Sequence, residues 1–161
     1  MVLKTGGVSN RWQAPGMLVP GLAVFFVSFC LLLFVASSPS VYPGDSGLLC
    51  FASFFLGTAH PPAYPLFVLL GKLFTFIPLG NVAFKVNLVA AVFGAAASSL
   101  TYITALYVTK NPIASLLAPL VAVAAPSFIL QSSMAKGGIY TLSSFLVMLI
   151  FYLGLRALKE E

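Results

Sequence analysis

Four stretches of this chain, residues 17–36, 86–108, 112–131 and 139–157, are apolar almost throughout. Each is about as long as the ~20 residues a helix needs to cross a bilayer. Hydrocarbon offers backbone N–H and C=O groups no partner, so such runs must close their hydrogen bonds internally as helices. Only 7% of the residues are charged and the mean hydropathy is +1.07. A soluble domain carries about 25% charged residues. The expected fold class is therefore an all-α integral membrane protein: about four transmembrane helices, plus one or two short interfacial or re-entrant helices in the first external loop.

Residues 1–16, with Lys4, Arg11 and Pro15, read as a cytosolic tail. The small residues Ala36, Ser37 and Ser38 would suit signal cleavage, but the run before them exceeds the usual 7–15-residue signal core. Residues 17–36 thus read as an uncleaved span, and residues 17–157 as one membrane module. Seven Pro and Gly residues between 37 and 62 break the apolar pattern. Within that stretch Ser46 to Leu56 suits a short helix, capped by Asp45 or Ser46 and stopped at Gly57. Residues 63–79 would reach only about 24 Å as a helix, short of the ~30 Å hydrocarbon core. Leaving them outside gives Lys4, Arg11, Lys110, Arg156 and Lys159 on the cytosolic side and Lys72, Lys85 and Lys136 on the other, the favoured asymmetry. The external loop is then 37–85, and 158–161 form a charged C-terminal end. A small-residue track, Gly94 to Ser98, would admit close helix approach.

Asp45 is the only acidic residue before Glu160, and the only histidine, His60, follows 15 residues later. An external carboxylate stays ionised near neutral pH and can act as general base on a hydroxyl, or simply cap a helix. His60 precedes Pro61-Pro62, which stiffen the turn into the next helix. A lone Asp and a lone His supply too few ligands for a typical metal site, and none is expected. Lys72, Lys85 and Lys136 would anchor the chain at the interface, or hold a phosphate as point charges. Asn87 lies just inside a span, where an amide needs a partner. Ser133-Met134-Ala135-Lys136 fits S-x-x-K, a pattern too loose to carry weight without its companion motifs. Cys30 and Cys50 have no CxxC spacing. The net charge of +5 is scattered singly between apolar runs, so it speaks for topology and anionic lipids, not for nucleic acid.

Several of these residues fall into an ordered string. Pro43-Gly44-Asp45-Ser46-Gly47 is followed by His60-Pro61-Pro62-Ala63-Tyr64-Pro65-Leu66, Gly71-Lys72-Leu73-Phe74 and Phe84-Lys85-Val86-Asn87, then by Gln131-Ser132 and Tyr140-Thr141-Leu142. Over residues 17–157 the string resembles the N-terminal region of a polytopic family long catalogued as a domain of unknown function. That family is now grouped with the GT-C glycosyltransferases and includes protein O-mannosyltransferases. The resemblance implies a sugar transferred from a polyprenyl- or dolichyl-phosphate donor, on the lumenal or periplasmic side, to an acceptor hydroxyl. Asp45 matches the family's acidic residue and would be the base of an inverting displacement. His60, Lys85, Asn87, Lys136 and Tyr140 would bind substrate, with no cofactor beyond the lipid-linked donor. Leu48 stands where the family often has glutamate, Lys136-Gly137-Gly138-Ile139 where it often has an acid, and Lys85 where arginine is usual.

The expected partners are membrane lipids, the lipid-linked donor and an additional membrane subunit. The membrane is a bacterial inner membrane or the endoplasmic reticulum. The alternative is a non-catalytic membrane subunit, or a shortened relative, that binds lipid or a partner protein. A channel or transporter is disfavoured because no span has a charged residue at its centre.

Overall fold

The computed structural model describes residues 14–36 and 40–160. Most of the expected tail (residues 1–13), Ser37 and Ser38 of the cleavage-like stretch, and Glu161 lie outside them. The described residues form seven helices: α1 (Ala14–Ala36), α2 (Ser46–Phe55), α3 (Pro65–Thr75), α4 (Val82–Thr109), α5 (Pro112–Ala124), α6 (Pro126–Gln131) and α7 (Ala135–Glu160). The protein is an all-α membrane protein. Gly16–Phe34, Val82–Thr109 and Ala135–Leu158 are long and apolar enough to cross a bilayer. At 11 residues α3 extends only about 17 Å, too short to span.

Residues 112–131 form two helices. α5 stops at Ala125, whose backbone is extended (φ −71°, ψ 123°), and Pro126 opens α6. A proline disfavours helical backbone in the residue before it and suits the first turn of a new helix. Pro119 is accommodated inside α5 at a buried position. α2 ends at Leu56, which takes the left-handed conformation (φ 55°) one residue before Gly57.

α4 is the central helix, packed against α1, α5 and α7. Its small residues make this possible. Gly94 lies against Ser132 and Leu32, and Ser99 Oγ donates to the Gly21 carbonyl of α1 at 2.7 Å. Lateral faces of α1, α5 and α7 expose Phe34, Val121 and Ile150, as lipid contact requires.

One side chain ties the loop after α1 to the start of α7. Asn87, only 2% exposed, donates from Nδ2 to the Ser40 carbonyl (3.1 Å) and accepts the Ala135 N–H on Oδ1 (2.8 Å). That N–H is one of the orphan donors of α7's first turn, so Asn87 caps α7 from a different helix. Gly137 then lets α7 lie against the chain before it, since a Cβ there would collide with the Gln131 backbone. Gly138 does the same beside the Phe67 ring.

Two substitutions test this account by unfolding in detergent. Asn87→Leu leaves the buried Ala135 N–H without its acceptor and should cost about 1–3 kcal/mol. Gly137→Ala over-packs the α6–α7 turn and should cost about 1–3 kcal/mol. Unchanged stability in either variant would mean that α7 is positioned by something else.

Candidate functional site

At the end of the bundle where Asn87 sits, the starts of α2 and α7 meet. The Ser46 hydroxyl, fully buried, lies 3.4 Å from the Lys136 backbone N–H. Asp45 occupies the residue before α2, where an Asp ordinarily caps, yet its carboxylate makes no cap hydrogen bond. Asn81 and Asn111, in the same position before α4 and α5, both cap with their side chains. The Asp45 carboxylate reaches across to α7, where Oδ2 lies 2.9 Å from Lys136 Nζ. His60 Nε2 is 4.0 Å from the same oxygen. All three side chains are about two-fifths exposed, at 40%, 42% and 41%, so a ligand can reach them.

The backbone explains this convergence. Gly44 is left-handed (φ 79°), which turns the chain into α2 at no steric cost. After His60 the Pro61-Pro62 bond is cis, and Ala63 and Tyr64 both have positive φ (69° and 48°). The Ala63 N–H donates to the His60 carbonyl (2.8 Å) and the Tyr64 N–H to the Pro62 carbonyl (2.9 Å). Left-handed backbone at non-glycine residues costs of order 1–3 kcal/mol and persists where surrounding structure enforces it. Here it aims His60 at Asp45 and sets the Tyr64 ring edge-on to the imidazole, centroids 6.0 Å apart. Tyr64 and Tyr140 both lie within electrostatic reach of Lys136.

The hydrogen bond from Lys136 holds the Asp45 carboxyl below its ordinary 3.8; slight desolvation opposes it, and the Lys136 and His60 charges add to the lowering. Burial pushes the Cys50 thiol up to about 11, so it is no nucleophile near neutral pH. Among the described residues, no three His, Cys, Asp or Glu side chains gather where they could hold a metal ion.

Of the residues singled out in the sequence, Asp45, His60 and Lys136 come together, with Tyr140 one turn further along α7. Lys85 instead donates from Nζ to the Thr75 carbonyl at 3.2 Å, closing the end of α3. Lys72 donates to the Phe54 carbonyl at 2.6 Å and lies over the Phe54 and Phe76 rings, closing α2. Cations suit helix C-termini, and both lysines serve there. Asn87 lies in the interior, its amide engaged by Ser40 and Ala135, so it positions Lys136 through α7. Ser133 Oγ donates to the Leu130 carbonyl, a local turn bond unrelated to Lys136. Sequence reasoning did not single out Tyr64 as a site residue, although it stands inside the His60–Leu66 string.

The ion pair has a pH signature. A carboxylate with a lowered folded-state pKa adds stability above its unfolded value and loses it as pH falls through the folded one. Wild type should therefore be more stable than Lys136→Met above about pH 3.8, and the advantage should fade below it. A difference that ignores pH across that range would remove the pair from the site.

The family model described as "Protein O-mannosyl-transferase TMEM260 N-terminal domain" matches residues 45–161, beginning at Asp45 itself. The chain is 44% identical over 98 residues to the protein O-mannosyl-transferase TMEM260 of Mus musculus, an alignment covering 60% of this chain and 14% of that one. It is 29% identical over 136 residues to the corresponding Dictyostelium discoideum protein, covering 83% of this chain and 16% of that one. The chain thus spans about one-seventh of the length of these relatives. No solved structure matches. With most of its length inside the matched region, the chain belongs to the family of the protein O-mannosyl-transferase TMEM260 N-terminal domain.

Proposed function

We propose that this chain is the N-terminal membrane module of a GT-C-type glycosyltransferase that transfers a mannosyl residue from a polyprenyl-phosphate donor to a protein hydroxyl. The observation that carries the reading is the diversion of Asp45 from its helix cap to an exposed cluster with Lys136 and His60. Family membership and the names of the relatives supply the reaction class. The cluster faces the periplasm or the lumen of the endoplasmic reticulum.

In this reading the acceptor hydroxyl gives its proton to Asp45 as its oxygen attacks the anomeric carbon. The bond from that carbon to the phosphate oxygen breaks, and the lipid phosphate leaves with the electron pair. A carboxylate held below 3.8 is a weak base, because general-base catalysis is most effective near the working pH. The donor phosphate resolves this. It competes with Asp45 for the Lys136 ammonium, and drawing the lysine away removes the main cause of the lowered pKa. Lys136 then neutralises the departing phosphate as a point charge, with His60 as a second donor. Tyr140 lies beside them on α7. Membrane lipids surround the module, and the remaining machinery comes from further spans or from an additional membrane subunit.

The second reading is a non-catalytic membrane subunit, favoured by the resting Asp45–Lys136 pair, which keeps the carboxylate engaged. Turnover of a polyprenyl-phosphate-mannose donor by the chain in nanodiscs, with co-purifying partners retained, separates the two. Asp45→Asn should lose at least about 100-fold in rate, at the low end of the usual range for a general base, while staying folded. No turnover in wild type with partners present would leave the subunit reading.

A further inference from the structure

Two cavities in the helical bundle differ in chemistry. The larger, about 340 Å3 between α1, α4 and α5, is walled by side chains such as Val24, Leu31, Leu120 and Val123, and suits hydrocarbon. The smaller, about 200 Å3 between α6 and α7, is lined by Ser127, Phe128, Gln131, Tyr140, Thr141 and Ser144. Ser127 and Gln131 are four residues apart on α6, and Tyr140 and Ser144 four apart on α7. Residues at that spacing share a helix face, so two polar rows meet across the cleft.

Polar side chains on membrane helices are costly unless something answers them. Ser144 Oγ donates to the Tyr140 carbonyl, which leaves its lone pairs for a ligand. Thr141 is similarly occupied with the Gly138 carbonyl. The half-buried Gln131 amide has no side-chain hydrogen bond among the described residues. The cleft therefore offers an amide with two donors and an acceptor, the accepting lone pairs of Ser144 and Thr141, the Ser127 and Tyr140 hydroxyls, and the aromatic rings of Tyr140 and Phe128. No lining side chain carries a charge. That combination suits a neutral ring bearing several hydroxyls. A phosphate would want cations, and an alkyl chain would leave every polar group unanswered. The volume lies below the roughly 300–1,000 Å3 of sites for drug-sized ligands, which limits the occupant to about one ring. Tyr140 is one helical turn, about 6 Å, from Lys136.

We infer that the α6–α7 cleft is a monosaccharide subsite in which Gln131, Ser127 and Ser144 read the hydroxyls of a hexopyranose beside the Asp45–Lys136 pair. The inference rests on the sugar-transfer reading for its ligand class, and it adds residues that reading does not use.

Methyl α-D-mannopyranoside is the probe, and saturation-transfer NMR on the chain in nanodiscs is the readout. Wild type should transfer saturation to the sugar ring protons. Gln131→Leu should weaken the signal at least about fivefold, and Ser144→Val should also weaken it. Ser143→Ala, on α7 outside the cleft, should leave it unchanged. The subsite is overturned if wild type gives no signal, if the two cleft variants match wild type, or if farnesyl phosphate, which has no sugar, is the only compound that competes at the cleft. Free-sugar binding is read without any transfer step, so the two readings fail separately. A chain that binds mannoside but never transfers it removes the sugar-transfer reading alone. A chain that transfers sugar with Gln131→Leu intact removes the subsite alone.

Discussion

The candidate site depends on a single buried amide. Asn87 holds the loop after α1 by one end and the first backbone N–H of α7 by the other. Both partners are main-chain groups far from Asn87 in sequence, and because Ala135 is fully buried, losing that bond would leave a costly unpaired donor. Because α7 is fixed at its first residue, the next residue, Lys136, is fixed too. Helix 2 is brought in by the same junction, through Ser46 and the Lys136 N–H. The distance between Asp45 and Lys136 is therefore a consequence of backbone pinning rather than of attraction between two exposed charges. Exposed ion pairs are weak, typically unable to organise helices by themselves.

With the geometry fixed by neutral hydrogen bonds, the charges are left available for chemistry. The site holds one carboxylate, one ammonium and one imidazole, and their exposure keeps them exchangeable with a ligand. Nearby, Lys72 and Lys85 are committed to helix ends, so the local excess of positive charge is parceled out before any ligand arrives. An anion entering here meets Lys136 as the lysine whose partner is another exposed side chain. In the proposed transfer, that asymmetry would make exchange of Asp45 for a phosphate oxygen the low-cost step and would couple donor arrival to the basicity of Asp45.

Much of the architecture was legible from run length alone, since hydrocarbon allows little besides helices. The three long helices lie where the apolar runs lie, and α2 and α3 fill the loop expected to hold short ones. The break at Ala125–Pro126 was less legible: the run carries two prolines, and only packing shows that Pro119 is absorbed while Pro126 is not. Asp45 and His60 stood out by rarity, a signal that composition supplies directly. The pairing with Lys136 did not, because 91 residues separate the two and three lysines were equally eligible. The choice among them comes from Gly137 and Gly138, which let α7 begin close against Gln131 and Phe67. Asn87 was read as an amide needing a partner, and which partner it found was invisible without the fold.

Lys136, Tyr140 and Ser144 recur every fourth residue, so α7 carries a polar stripe near one end, whereas its far half exposes Val147, Ile150, Phe151 and Leu153. A helix that only had to anchor the module would gain by being apolar along its whole length in hydrocarbon. Three polar positions on one face, starting at the residue that holds Asp45 and continuing along an open cleft with Gln131, follow a path from the charged cluster along the exposed side of α7. The same small residues that let α7 start close to α6 keep that path narrow. One packing solution thus sets both the position of the charge and the width of the cleft beside it, and a change that loosened the α6–α7 turn would disturb the two together.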